Sequence, residues 1–143
     1  MPKSSFVALG VAGLLVFSTA WFASLDQKNV PKEEIIVSQT GLHWHAKLHI
    51  TKGGEVVEIP TGIGLGATHN PLHTHEGEPN VIHMEFEDRV TTNDLMLGAF
   101  FAVWQRDIRS FGQNVGMKVN GVENIQYEQY VMQDGDTIEL SYD

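Results

Sequence analysis

The side chains able to take up a metal ion or a proton near neutral pH are concentrated in one part of this sequence. All seven histidines lie between His43 and His83, and the rest of the 143 residues contain none. Three short stretches hold six of them: "HWHAKLHI" with His43, His45 and His49, "LHTHEGE" with His73 and His75, and "VIHMEFE" with His83 beside Glu85. His69 stands alone between the first two. Neutral imidazole and carboxylate are ligands for zinc, copper, iron or nickel, and at physiological pH much of the imidazole is in the unprotonated form that binds them. The chain has no cysteine, which excludes disulfides, thiolate catalysis, iron–sulfur clusters, thiolate zinc sites and the cysteine ligand of a blue-copper centre. A metal here rests on nitrogen and oxygen.

The spacing suits that chemistry if the backbone is extended. On a strand, residues two apart point to the same face with α-carbons roughly 6.5–7 Å apart, so His-x-His and His-x-Glu can converge on one point. The predicted ligands are His43, His45, His73, His75, His83 and Glu85, the last as an oxygen ligand or as the group that orients a ring. They outnumber the three or four ligands of a zinc shell, which implies either two sites or ligands plus supporting neighbours. Copper or zinc is the expected ion, with iron behind them. His49 and His69 have no assigned role, and Met84, on the opposite alternation, belongs to the core. The plainer alternative is a solvated, hydrogen-bonded histidine cluster that senses pH or forms a contact surface.

The elements that carry these residues read as follows. From Leu42 to Thr51 the even positions Trp44, Ala46, Leu48 and Ile50 are apolar, and the odd positions are His43, His45, Lys47 and His49. That period of two predicts a half-buried strand with its histidines on the open face. "KGG" turns it into a second strand, "EVVEI", completing a hairpin. Residues 60–79 read as a long irregular loop, of a length that favours a functional role. Within it "GIGLG" reads as flexible loop, not a phosphate loop, because no helix start or Lys-Ser/Thr follows. Residues 81–87 alternate again, with Ile82, Met84 and Phe86 inward. "TTNDLMLGAFFAVWQRDI" changes period: Thr92 or Asn93 is the expected cap and Leu97, Phe100, Phe101, Trp104 and Ile108 the buried stripe of a helix. Asn120-Gly121 and Asp134-Gly135 mark turns between closing strands.

These elements predict an α+β fold, a β-grasp-like mixed sheet packed on one helix over residues 35–143. Ahead of it, Phe6 to Leu25 is uncharged and long enough to span roughly 30 Å of hydrocarbon as a helix. The expected organisation is a transmembrane anchor at 1–25, a polar tether at 26–34 and an extracytoplasmic domain, the orientation following from Lys3 before the span and Asp26 after it. A signal peptide cleaved near Ser18-Thr19-Ala20 is the alternative, which leaves the domain secreted. A net charge of −9 argues against nucleic acid and anionic lipid surfaces as partners and in favour of cations.

The stretches "HWHAKLHI", "IPTGIG", "LHTHEGEPNVIHMEFE", "LGAFFAVW" and "VNG…DGDTIELSY" resemble a widespread group of small, membrane-anchored, exported bacterial and archaeal proteins of uncharacterised function. The likeness covers about residues 42–142. It departs from the group's pattern at Glu76, where aspartate is usual, and at "GEPNV", which replaces a tighter glycine segment. The resemblance implies that His43, His45, His73, His75, His83 and Glu85 act together, and it supplies no activity. "VNG…DGDTIEL" also resembles the last strands of ubiquitin-like sulfur carriers, but the ending Ser141-Tyr142-Asp143 lacks their terminal Gly-Gly.

Three functions are compatible with this reading. The leading one is a non-enzymatic, membrane-tethered copper or zinc module, alone or as a subunit of a larger membrane complex. The second is a small metalloenzyme, cupin-like or built on a facial triad with open positions. The third is an assembly protein whose sheet edge pairs with a neighbour or a second copy, with metal-linked contacts.

Overall fold

A computed structural model of the chain describes residues 34–143. The predicted anchor at 1–25, and all of the tether except Glu34, lie outside the described residues. The strands are β1 (Ile36–Ser38), β2 (Leu42–Lys52), β3 (Glu55–Val57), β4 (Leu72–His73), β5 (Val81–Phe86), β6 (Val90–Thr91), β7 (Val115–Val119), β8 (Val122–Glu123) and β9 (Thr137–Tyr142). One α-helix, α1 (Leu97–Val103), and short 3-10 helices at Ile108–Phe111 and Tyr127–Gln129 complete the described elements. The fold is therefore mixed α+β, mostly sheet. Among the described residues no helix is long and apolar enough to cross a membrane.

The main sheet runs β4-β5-β2-β9-β7-β8, with β3 also paired to β2. β2 is the organising strand. Its first half, Leu42 to Lys47, pairs antiparallel with β5; its second half pairs antiparallel with β3 and parallel with β9. Ala46, Leu48 and Ile50 point into the core beside Ile82 and Met84 of β5, Ile138 and Leu140 of β9, and Leu97 and Phe100 of α1, all buried. A one-residue slip of β2 would turn this set outward. Leu48 and Ile50 alone are worth roughly 1.5–3 kcal/mol each on burial, a large share of the 5–15 kcal/mol that typically holds a domain together. The register is fixed accordingly, and His43, His45, Lys47 and His49 take the other face, as their alternation predicts.

Both predicted turns close hairpins or strand entries. Asn120 (φ 52°) and Gly121 (φ 79°) form the tight β7–β8 connection, whose geometry demands positive φ at both positions. Asp134-Gly135 leads into β9 and is stitched to β2. The Gly135 N–H donates to the His45 carbonyl (2.8 Å), and the His45 N–H donates to Asp134 Oδ1 (2.9 Å).

Two expectations require correction. The helix is shorter than the predicted span from Thr92 to Ile108, and neither Thr92 nor Asn93 caps it. Asp94 instead accepts from the Thr91 N–H (2.8 Å) and hydroxyl (2.7 Å), which holds the preceding residues in a turn. The helix begins at Leu97, whose N–H is taken by the Tyr130 carbonyl (2.8 Å). It ends where Gln105 adopts φ 58°, with the Gln105 N–H bonded to Ala102 O and the Arg106 N–H to Phe101 O. These two bonds are those of a Schellman cap with glutamine in the left-handed position that glycine usually fills. Ile108 is still buried, but within the 3-10 turn.

The second correction concerns residues 60–79, which are not wholly irregular: Leu72 and His73 add a strand to the edge of β5. "GIGLG" is tied to this strand, not a flexible loop. The Gly62 N–H donates to Thr74 O (3.0 Å), the Thr74 N–H to Ile63 O (3.1 Å) and the Asn70 N–H to Gly64 O (2.9 Å). Gly64 sits at φ 74°, and a β-carbon there would fall 2.4 Å from the Leu72 carbonyl oxygen, so only glycine fits.

The left-handed glutamine yields a direct expectation. Gln105→Gly relieves a backbone cost of roughly 1–2 kcal/mol and gives back part of it as unfolded-state entropy, for a net gain of about 0.5–1 kcal/mol. Denaturant unfolding measures this; a loss of stability would show that the Gln105 side chain contributes more than its backbone costs.

Candidate metal centre

Three adjacent strands place the imidazoles in a row. His73 of β4 is opposite His83 of β5, which is opposite His45 of β2, and one step along the sheet His43 is opposite Glu85. The period-two pattern puts all five on one face, and the pairing brings three separated stretches of sequence together. His75, just past β4, closes over this row: its ring centroid lies 4.6 Å from both His73 and His83. His83 is at the centre, with ring contacts to His45 (4.7 Å), His73 (5.3 Å, stacked) and His75.

Local chemistry explains how the "HTH" of β4 is held. Thr74 is buried and points away from the histidines. Its hydroxyl donates to Pro60 O (2.9 Å) and accepts from the Ile63 N–H (3.0 Å), so His73 and His75 are forced to the opposite side. His73 Nδ1 lies 2.9 Å from the Asn70 carbonyl oxygen. A carbonyl only accepts, so the proton is on Nδ1 and the neutral ring keeps a bare lone pair on Nε2; backbone carbonyls orient metal-binding histidines in this way.

Two pairs of ring nitrogens point at each other across short gaps. His43 Nε2 and His45 Nε2 are 3.2 Å apart, and His73 Nε2 and His75 Nε2 are 3.0 Å apart. Two nitrogens bound to one tetrahedral zinc at about 2.0–2.1 Å would lie roughly 3.3 Å apart, so each pair is already spaced as ligands are. Each gap is also short enough for an N–H···N hydrogen bond. Glu85 lies between the pairs, with Oε1 3.1 Å from His43 Nε2 and Oε2 4.0 Å from His73 Nε2.

His83 is the member of the cluster that hydrogen bonding leaves unsatisfied. Both of its ring nitrogens are buried and without a hydrogen-bond partner. Carboxylates are close, Glu78 Oε2 at 3.0 Å from Nε2 and Glu85 Oε1 at 3.5 Å from Nδ1. Neither contact has the direction of an N–H···O bond, so proximity here supplies charge without satisfying a donor. An unsatisfied buried polar group costs about 1–3 kcal/mol. Burial, followed by the neighbouring His45, His75 and His73, pushes the His83 pKa below its ordinary 6.5, against an opposing pull from Glu78. The ring is thereby held in the neutral, lone-pair form that ligates metals.

Two groups of donors, each within 4.8 Å of one another, could hold an ion: His43, His45, His83 and Glu85, and His73, His75, His83 and Glu85. All six predicted ligands are among them. His49 and His69 belong to neither. His49 is exposed further along β2, opposite Glu139, and the His69 ring is 6.3 Å from that of His73. Glu76, next to the predicted ligands in sequence, is exposed and outside both groups. Sequence reasoning missed Glu78, Thr74, Asn70 and Asp134. Glu78 could have been noticed as a second acid in "HEGE"; the other three act through backbone bonds that no spacing announces. Beside the centre lies a cleft of about 920 Å³ with His43, His73 and Glu85 on its wall, joined by His69, Glu87 and Asp88. No protein-family model matches the chain, and neither a curated protein nor a solved structure matches it.

Two outcomes follow from this geometry. Thr74→Val leaves the Ile63 N–H and Pro60 carbonyl without their partner, which costs about 1–3 kcal/mol of stability in denaturant unfolding; an unchanged midpoint would mean Thr74 does not hold the pair. For His83, the folded pKa lies below the 6.5 of the unfolded chain. Its contribution to the metal-free protein's stability is therefore complete above 6.5 and falls away as pH drops from 6.5 through the lowered folded value. His83→Asn should flatten that part of the stability–pH curve, and an unaltered slope would contradict it.

Proposed function

We propose that the chain is a metal-binding module, holding zinc or copper at His43, His45, His73, His75, His83 and Glu85, and carried on the outer face of a membrane by its amino-terminal segment. The observation that carries this reading is His83, buried with two unpartnered ring nitrogens at the meeting point of both donor groups. Such a group is costly unless something else binds it, and a metal ion is the ligand that its neighbours' donors suit. All donors are nitrogen or oxygen, which fits zinc and copper(II). The bound ion would supply Lewis acidity, and the chain's own work is to hold the rings close together and oriented.

Location and lineage are part of the same proposal. The uncharged run from Phe6 to Leu25 supports an anchor, and the −9 charge supports a cation as ligand over nucleic acid. The parallel β2–β9 pair, flanked by β7 on one side and by β5 and β3 on the other, supports the β-grasp reading. The "HxH", "LHTH" and "IHxE" positions together supply both donor groups, which supports membership of the exported family that the sequence resembles.

The 920 Å³ cleft favours a second reading, a metalloenzyme, because it brings solvent and small molecules to Glu85 and His73. A change in the spectrum of the cobalt(II)-substituted protein on adding azide would speak for it; an inert spectrum would speak for a closed carrier site.

The test of the main reading is metal content. Full-length protein purified in detergent without an affinity tag should carry zinc or copper. After chelation, returning the ion at 100 times its dissociation constant should raise stability by about 2.7 kcal/mol. His83→Asn should weaken binding at least about tenfold, the smallest loss seen on removing even a supporting group. Metal-free protein whose unfolding is indifferent to both ions would end the proposal.

A further inference from the structure

We propose that the centre is built for two divalent ions side by side, bridged by the carboxylate of Glu85. This rests on the metal-binding reading above and goes beyond it in the number of ions and their coupling.

The donors do not form one shell. They divide into two overlapping groups, and the members in common are His83 and Glu85. A tetrahedral ion takes four ligands, so six donors exceed what one such ion uses. The excess is symmetrical: a histidine pair at ligand spacing stands on each side of Glu85. Glu85 turns one oxygen to each side, Oε1 to His43 and Oε2 to His73. With a single ion in either group, the other pair would be left as two imidazoles facing each other, with no ion between them. With two ions, each takes one histidine pair and one oxygen of Glu85. His83 lies in both groups and completes one shell, so the other has a position left for water or a small oxygen or nitrogen ligand from the cleft.

The surrounding charge permits double occupancy. Two dications face a single bridging carboxylate, but Glu78 is 3.0 Å from His83 and Glu87 and Asp88 line the adjoining cleft. These carboxylates offset part of the repulsion between the ions, which act at separations of about 3.5–4 Å in bridged two-metal sites. Paired metals of this kind activate water or clamp an oxyanion between them, so the class of ligand expected in the open position is a phosphate-like or carboxylate-like oxyanion.

The full-length chain in detergent, stripped with chelator and titrated with zinc, should bind two ions per chain by calorimetry and by metal analysis. His43→Ala with His45→Ala changes only exposed or half-buried side chains, and should reduce this to one. Because a variant can fail to fold, copper(II) titration of the unaltered protein gives a second measurement. The first equivalent should give the electron paramagnetic resonance spectrum of an isolated ion; the second should broaden it and produce a half-field line from two coupled ions. Glu85→Gln, which has one carbonyl oxygen in place of two carboxylate oxygens, should abolish the coupling. One ion per chain would overturn the bridge and leave the metal-binding reading intact. Two ions with simply additive spectra would also overturn it, and no binding would remove both.

Discussion

The site depends on the burial of one face of β2. Ala46, Leu48 and Ile50 are enclosed by α1 and by the inner faces of β5 and β9, and that enclosure sets which way every other side chain of the strand points. His43 and His45 are presented outward as a by-product of packing the core. The same holds for β5, where burying Ile82 and Met84 turns His83 and Glu85 to the open face. The energy that orients the donor side chains is thus hydrophobic and located on the far side of the sheet. Little of it is spent at the site itself.

That arrangement allows the site to be poorly satisfied internally. His83 has no hydrogen-bond partner for either nitrogen, and two histidine pairs face each other at about ligand spacing. A cluster that had to hold itself together would have resolved these contacts by rotating its rings apart. Here Thr74 pins the "HTH" backbone through Pro60 and Ile63, and the Asp134-Gly135 turn grips both backbone groups of His45. The rings are kept close by elements outside the cluster, as preorganised ligand sets require.

The sequence made some of this legible. Strict alternation in residues 42–51 was enough to place the histidines on one face, because a period of two has only one reading once the apolar set is buried. The Asn-Gly and Asp-Gly turns were visible because few other dipeptides suit that geometry. What stayed hidden was decided by partners far along the chain. The helix loses its first turn because Asp94 bonds back to Thr91 and the segment at Tyr130 to Met132 pairs with Leu95 and Leu97. β4 is only two residues long and exists because β5 lies beside it. The "GIGLG" segment looked mobile because its restraints are backbone bonds to Thr74 and Asn70. The convergence of the six donors was legible in their clustering and two-residue spacing, but the central position of His83 and the neighbouring Glu78 came from strand order, which spacing alone does not reveal.

The parallel pairing of β2 with β9 has a consequence for how the molecule is made. Lys47 is matched with Thr137, so the strand bearing the first histidines waits for almost the whole remaining chain before its second half is clamped. Pairing across so long a separation is slow, since loop closure must precede any reward. The clamp on the second half of β2, and with it the grip of the Asp134-Gly135 turn on His45, is therefore completed only by the last strand to be made.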